Sequence, residues 1–449
     1  MGPPRNNQRK PAKDQNARDA KKDKKKPSQP SSRRPTPQNT TPAQPNDTHL
    51  DLSTTIPLTL QQLLLNVFKA GLLSTDGHGW RPDPDSPPGE APLDLKSLIQ
   101  TIKSHLYNRD FDSAFTDASE DLLRAYALRW SASRALGYAG VFKALLAECI
   151  PPPSSRGAAP PSSTHVVCIG GGAGAEIVAL AAVWRDLLDE TQARLLSARL
   201  AGVSLQDAET DAPTTPAPAD APRTTSVGGL GNLAVTAVDI ADWSRVVDRL
   251  ACAIQSADVP GGKSHPAPLL GGVHLEGRGE VGARHDFAVR FRRADVLSIP
   301  DAELKGLLHI ATASTAMVTL MFTLNELFST SMAKATGFLL RVTDLLRAGT
   351  LLVVVDSPGS YSTVKLGKGK SPADGGEGEG ETAQERKYPM KFLLDHALLS
   401  VASGRWEKVL SQDSRWWRRE AARLRYDVGE GAGLEDMRFQ VHIYRRMDG

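Results

Sequence analysis

Cysteine is scarce in this chain: among 449 residues there are 3, Cys149, Cys168 and Cys252, and no two of them share a C-x-x-C spacing. That excludes a disulfide framework and a zinc cluster built on thiolates, and it points to a reducing compartment and to a protein without a metal. Long hydrophobic runs are missing as well. No apolar stretch reaches the roughly 20 residues of a membrane span, and the N-terminus lacks the apolar segment of a secretory signal, so a soluble intracellular protein is expected. Nor is there a strong net charge of one sign: the total is +3. That balance hides an asymmetry, because Met1 to Arg34 carries 12 Lys and Arg against 3 Asp, leaving the remainder slightly acidic.

With 40% hydrophobic residues the chain can bury a sizeable core, once its polar segments are set aside. Residues 1–50 combine Lys21-Lys22-Asp23-Lys24-Lys25-Lys26 with Pro, Gln, Ser and Asn and almost nothing apolar. They read as a disordered basic tail, suited to phosphates, to a nuclear address or simply to solubility.

The most informative stretch is Thr164-His-Val-Val-Cys-Ile169 followed by Gly170-Gly-Gly-Ala-Gly-Ala-Glu176 and an apolar run to Trp184. A β-branched strand running into glycines and then into a helical pattern is a nucleotide-cofactor loop. Gly170, Gly171, Gly172 and Gly174 keep Cβ atoms away from a ligand, and the open amides of the new helix, with Glu176 in its first turn, complete the expected cofactor site. Gly172 is expected to lie where the backbone meets the ligand. The spacing G-x-G-x-G suits S-adenosylmethionine, while G-x-G-x-x-A at Gly170, Gly172 and Ala175 suits a dinucleotide.

Residues 51–155 read as a helical domain. Apolar spacing predicts helices over Leu58 to Leu73, Leu93 to Leu106 and Ser119 to Cys149. In the third, Arg129, Trp130 and Arg134 interleave cations with an aromatic ring. This arrangement can contact phosphates and stack bases, or can place Trp130 and Tyr138 in a core with the arginines reaching outward. Pro151-Pro-Pro-Ser-Ser marks the boundary.

Residues 156–449 read as a Rossmann-like domain with flexible insertions near 192–232, 256–282 and 357–386. Strands are predicted at Leu233 to Asp239, Phe287 to Leu297, Val318 to Leu327 and Gly349 to Asp356. Two more follow at Trp406 to Gln412 and Met437 to Arg446. Helices are predicted over Trp243 to Leu250, Ser331 to Arg347 and Met390 to Ala402. Asp239, at a strand end after the glycine loop, can accept both ribose hydroxyls, or can serve as a turn or helix cap. Thr323, Asn325 and Glu326 are expected to emerge at the carboxyl end of their strand, where open α/β sheets place active sites. Arg415-Trp-Trp-Arg-Arg419 is a competing run of cations and aromatic rings, its tryptophans otherwise packing on the sheet.

This βα order resembles the class I methyltransferase plan. Val167 to Ile177, Val238 to Trp243, Met321 to Leu327 and Leu122 to Tyr138 are similar to the fungal 25S ribosomal RNA uridine-N(3)-methyltransferases, over most of the chain from Leu58 onward. Cys168 departs from the class, where many members carry an acid. The resemblance implies S-adenosylmethionine as cofactor, large-subunit ribosomal RNA as partner and methyl transfer to ring nitrogen 3 of a uridine. In the adenosyl-binding version of the fold, an acid and the next amide, here Asp295 and Val296, hold the adenine edge. Thr323 belongs to the cofactor site or the uracil edge; Asn325, Glu326 and Asp356 are the catalytic candidates, with Glu326 or Asp356 taking the N3 proton and Glu326 otherwise only capping a helix. A monomer is expected, in the nucleus, chiefly the nucleolus, and in the cytoplasm. Two alternatives stay open: a dehydrogenase using the same loop, whose acid normally follows sooner than Asp239 does, and an RNA-binding assembly factor without turnover.

Overall fold

A computed structural model describes residues 50–73, 93–149, 163–206, 232–271, 273–275, 287–309, 314–365, 385–420 and 422–448. The basic tail up to residue 49, the central parts of the insertions near 192–232 and 357–386, and the end of the one near 256–282 lie outside these residues.

The chain opens with helices α1 (Leu58–Leu73), α2 (Leu95–Tyr107), α3 (Glu120–Tyr126) and α4 (Ala132–Cys149), the last two joined by a π-helical turn over Ala127–Ser131. Their starts are written locally. Asp94 accepts the amide of Ser97, and Ser119 accepts that of Leu122, each satisfying a donor that the first turn leaves open.

There follow β1 (Ser163–Ile169), α5 (Ala175–Gln206), β2 (Asn232–Asp239), α6 (Ser244–Gln255), β3 (Val273–Leu275), β4 (Phe287–Arg293) and α7 (Asp301–Leu308). The second half comprises β5 (Ser314–Met321), α8 (Leu324–Thr330), α9 (Met332–Leu345), β6 (Leu351–Asp356), a hairpin of β7 (Tyr361–Lys365) and β8 (Glu385–Pro389), α10 (Met390–Asp395), β9 (Trp406–Trp417) and β10 (Met437–Arg446).

The main sheet has 8 strands in the order β3-β4-β2-β1-β5-β6-β10-β9. The strands from β3 to β6 pair in parallel, while β10 runs antiparallel to both β6 and β9. Order reverses at the β1/β5 boundary, the switch point at whose carboxyl ends such sheets bind ligands.

The central strands are apolar at nearly every position because both faces are covered. Val166 and Cys168 of β1 and Leu351, Val353 and Val355 of β6 enter one core, shared with α1 to α6. Val167 and Ile169, with Leu352 and Val354, enter the other, under α7 to α10. One polar residue at the middle of this packing is His165 of β1. It bridges the neighbouring strands, with Nδ1 2.8 Å from Thr315 Oγ1 and Nε2 2.9 Å from Thr236 Oγ1, and burial holds it neutral, its pKa lowered to about 4.

The helices of residues 51–155 share their core with the sheet instead of enclosing one of their own. Charges tie the layers too: Arg249 of α6 meets Glu120 of α3 at 3.1 Å, and Lys143 of α4 meets Asp186 and Glu190 of α5 at 2.6 and 2.9 Å.

Several expectations need correction. Helix α5 continues to Gln206, so residues 192–206 extend a helix before the polar insertion begins. A short edge strand, β3, lies within 256–282, and within 357–386 the chain forms β7 and begins β8. Strand β9 reaches Trp417 through its long pairing with β10. The largest change is at β5, which stops at Met321; Thr323 is the N-cap residue of α8, and Asn325 and Glu326 lie in its first turn.

Candidate active site

The glycine loop leaves β1 with Gly170 at φ 75° and enters α5 from Gly174 at φ 82°, backbone conformations in which a Cβ is strained. The amide of Gly170 donates to Val238 O at 2.8 Å, which ties the loop to the end of β2. Much of the glycine requirement comes from the protein itself. A Cβ at Gly170 would strike the Thr323 side chain, and one at Gly172 would strike the Trp243 indole and come within 2.9 Å of Asp239 Cβ. The Cβ side of Gly172 is thus occupied by Trp243, so packing by itself requires a glycine at this position.

Asp239 ends β2 beneath that loop. Its Oδ2 accepts the Gly172 amide at 3.2 Å and its Oδ1 the Ala241 amide at 3.1 Å. Burial raises its pKa to about 6, against the pull of these two amides and of the neighbouring Trp243. The indole N–H itself is buried without a hydrogen bond of regular geometry.

Asp239 O accepts the amide of Ala294 at 2.8 Å, so the turn after β4 hangs from the end of β2. In that turn Asp295 accepts Leu297 N at 3.0 Å and Ser298 Oγ at 2.8 Å, while the Val296 side chain is buried in the second core. The structure therefore gathers Gly170, Gly171, Gly172, Gly174, Asp239, Asp295 and Val296 at one end of the sheet, with Thr323 against the loop from the β5 side.

Glu176, in the first turn of α5, is 3% exposed. Burial pushes its pKa up to about 8, and its Oε1 has no hydrogen-bond partner among the described residues. A buried acceptor beside a helix N-terminus is a polar atom that a cofactor can satisfy, so the residues present fit a nucleoside cofactor.

The other half of the site follows β5. Phe322 has φ 60°, unusual for a bulky side chain and held by its amide donating to Val355 O at 2.7 Å. This bend turns the chain into α8. Asp356, buried at the end of β6, accepts the Asn325 amide at 3.1 Å on Oδ2, and Ser357 N at 2.7 Å and Ser360 Oγ at 3.0 Å on Oδ1. Its pKa is raised by burial and held back by these donors. With both oxygens engaged, Asp356 is a lock on the start of α8 and is poorly placed to take a proton.

Glu326 differs. It is exposed to solvent yet crowded by protein on several sides, and this loss of hydration, together with Asp356 and Asp239 nearby, raises its pKa to about 7 against the opposing charge of Arg134.

The helical segment contributes in a way its pattern did not show. Arg129 turns inward, buried and paired with Glu435, which removes it from any RNA surface. Trp130 is half-buried, its ring 4.9 Å from that of Tyr126. Arg134 faces the reaction end of the sheet: Nη1 donates to Tyr126 Oη at 2.8 Å, and the guanidinium carbon lies 4.7 Å from the centre of the Phe322 ring. Tyr126 also meets Phe115 at 5.0 Å and Trp243 at 5.7 Å, an aromatic cluster above the glycine loop. The contribution of Phe115, and the backbone bend at Phe322, had no signal in the sequence. Of Arg415 to Arg419, Trp417 packs against the core, while Trp416 is 49% exposed with Arg418 and Arg438 at 4.0 and 5.7 Å from its ring.

A glycine loop between the first strand and helix, an acid ending the second strand, acids after β5 and β6, and an antiparallel pair closing a parallel sheet together define a Rossmann-like class I methyltransferase. Comparison with known proteins agrees. Residues 85–445 match the family described as "Putative SAM-dependent methyltransferase", and the chain belongs to that family, which uses S-adenosylmethionine. The chain is 31% identical over 361 residues to the 25S rRNA (uridine(2843)-N(3))-methyltransferase of Saccharomyces cerevisiae, covering 78% of each protein. Solved structures are similar at a lower level. A SAM-dependent methyltransferase from Methanosarcina mazei has TM-score 0.29 and 11% identity, covering 64% of this chain and 93% of its own. An O-methyltransferase family protein from Burkholderia thailandensis has TM-score 0.32 and 11% identity, covering 86% and 83%. Membership of the methyltransferase family disfavours the dehydrogenase alternative.

Proposed function

We propose that this enzyme methylates ring nitrogen 3 of a uridine in large-subunit ribosomal RNA. The yeast relative acts on that class of atom, and the observation in this chain that supports it most directly is Glu326: an accessible carboxyl at the reaction end of the sheet, with a pKa of about 7.

The target nitrogen carries a proton at neutral pH and becomes nucleophilic when it loses it. Glu326 takes that proton; a base whose pKa lies near the working pH is best matched to the task. The bound cofactor supplies an electrophilic methyl group on a sulfonium. The chain must hold both partners in line. The glycine loop, Glu176, Asp239, Asp295 and the Val296 amide hold the nucleoside and amino-acid parts of the cofactor, with Thr323 beside them. Asn325, fixed through the Asp356 lock, presents itself to the uracil edge. Because N3 lies on the Watson–Crick edge, the uridine enters unpaired or extruded from its helix.

With Arg129 buried, RNA contact passes to the exposed Trp416 and its flanking Arg418 and Arg438, a stacking face between cations. The basic tail adds phosphate contacts and supports a nuclear, mainly nucleolar, location with a cytoplasmic fraction, and the protein acts as a monomer. The test is nucleoside analysis of ribosomal RNA from cells lacking the protein, with labelled methyl transfer by the purified enzyme. One 3-methyluridine should disappear from the large-subunit RNA and be restored in vitro. An unchanged methyluridine content would overturn the assignment.

A further inference from the structure

Arg134 is a half-buried guanidinium with an unusual shortage of partners. One nitrogen donates to Tyr126 Oη at 2.8 Å, and the rings of Phe322 and Tyr126 lie 4.7 and 5.7 Å from its carbon. Among the described residues no carboxylate lies within ion-pair distance of it, whereas Arg124, Arg129 and Arg249 in the same helical layer each have one. Its charge is nonetheless held firmly, its pKa raised through Tyr126, Tyr138 and Glu326 against the opposing effect of burial. A guanidinium offers five N–H donors in a rigid fork suited to paired or planar anionic oxygens. Withdrawing it partly from water without an ion pair is costly, and an arriving anion offsets that cost.

The position is specific. Phe322 is the strained residue at the end of β5, and its neighbour Thr323 abuts Gly170, so the fork lies where the cofactor loop and the start of α8 meet. The groups around it are Tyr126, Tyr138, Glu176, Glu326 and Asp356.

We propose that Arg134 is a catalytic residue that receives an anionic oxygen of the bound reactants. This rests on the methyltransferase reading above. Two oxygens have the right chemistry. When the uracil ring gives its N3 proton to Glu326, the negative charge spreads from N3 onto the flanking carbonyl oxygens, and a guanidinium there stabilises the ring until N3 bonds to the methyl carbon and the carbon–sulfur bond breaks. The carboxylate of the cofactor is the other source.

The experiment compares full-length wild type with Arg134→Gln, Arg134→Lys and Tyr126→Phe. Calorimetry measures binding of S-adenosylhomocysteine and of methylthioadenosine, which lacks the carboxylate, and methyl transfer at saturating cofactor is followed across pH. If the oxygen belongs to the ring, Arg134→Gln leaves both affinities unchanged, lowers kcat about 100-fold and regains rate in alkali, where the ring loses its proton unaided. If it belongs to the cofactor, S-adenosylhomocysteine binding falls at least about tenfold while methylthioadenosine binding holds. In either case Arg134→Lys recovers part of the loss, and Tyr126→Phe, which only frees the fork, shows a smaller one. A folded Arg134→Gln enzyme with normal affinity and normal kcat would overturn the proposal, as would equal weakening of both ligands. Should Arg134→Gln fail to fold, the same reading is taken from Arg134→Lys and Tyr126→Phe. If wild type methylates no uridine but still prefers S-adenosylhomocysteine through Arg134, the substrate assignment fails and the anion-receiving role stands.

Discussion

Gly172 donates its amide to Asp239 at 3.2 Å, and the space that a side chain at 172 would need is filled by Trp243 and by Asp239 Cβ. Loop and acid are therefore one packed unit. Gly172→Ala is expected to lower stability by about 1–3 kcal/mol, the cost of overpacking a filled site, and to weaken cofactor binding by displacing Asp239. Thermal melts and calorimetry on the same sample check both. Weaker binding with an unchanged melting temperature would show that the glycine meets the ligand directly.

Asp239 accepts the Gly172 and Ala241 amides, and its remaining lone pairs are the ones proposed to receive the ribose hydroxyls. Asp239→Ala is expected to weaken S-adenosylmethionine binding by on the order of 2–4 kcal/mol, a pair of charge-assisted hydrogen bonds. Asp242 is the control. It is exposed and its carboxylate accepts the Ser244 amide at 3.1 Å in the turn before α6, so Asp242→Ala should cost at most about 1 kcal/mol of stability as one lost hydrogen bond and leave binding unchanged. The reverse pattern would mean that the ribose acid has been placed on the wrong residue.

As the proposed base, Glu326 should set the pH dependence of the reaction. With a pKa of about 7 it is protonated and idle below that value, so kcat should rise through about pH 7 and then level. Glu326→Gln should abolish this limb and lower kcat by roughly 10²- to 10⁴-fold, the usual contribution of a general base. A pH profile unaltered in the variant would remove Glu326 from that role.

Glu176, besides its proposed place in the cofactor site, should make stability depend on pH. Its carboxyl titrates from the ordinary 4.5 when unfolded and at about 8 when folded. As pH rises between these values the unfolded chain releases this proton while the native protein keeps it, so stability is greatest below the lower value and is lost progressively up to the higher one. Glu176→Gln, which stays neutral throughout, should flatten that decline and raise the melting temperature near the upper end of this range relative to wild type, most clearly without cofactor. Equal pH slopes in the two proteins would count against a buried, proton-holding Glu176.

RNA contact should divide between two regions. Trp416→Ala with Arg438→Ala is expected to weaken RNA binding about tenfold or more, the energy of a stacked base and its cation, with cofactor affinity unchanged. Deleting Met1 to Arg34 should lower affinity and reduce the salt dependence, since every phosphate that the tail no longer neutralises takes about 0.7 from the slope on single strands. Filter binding over a salt series separates the two. Full binding by both variants would place the RNA surface elsewhere.

Local chemistry made the sheet legible. The apolar run of Leu351 to Val355 can be stable in few settings other than a strand covered on both faces, and glycines between a β-branched strand and a helical pattern have few other uses. Periodicity says less where an element ends. Val318 to Leu327 reads as one strand, yet Phe322 adopts a positive φ because Val355 and the Asp356 lock hold the turn on either side of it, and α8 begins two residues later. Asn325 and Glu326 were thus placed at this end of the sheet by the sequence while their local structure was not legible.

The helical segment marks the division most sharply. Sequence by itself determined that Ser119 to Cys149 is helical and that it carries interleaved arginines and aromatics, because both depend on near neighbours and spacing. Which arginine faces what was decided by the tertiary structure. Arg129 meets Glu435, 306 residues away, and Arg134 meets Phe322 at the end of β5. Those partners become neighbours only when the helices close over the carboxyl ends of the strands. The energy that assigns each cation its place comes from burial and from charges across that closure, terms to which no local pattern of residues contributes.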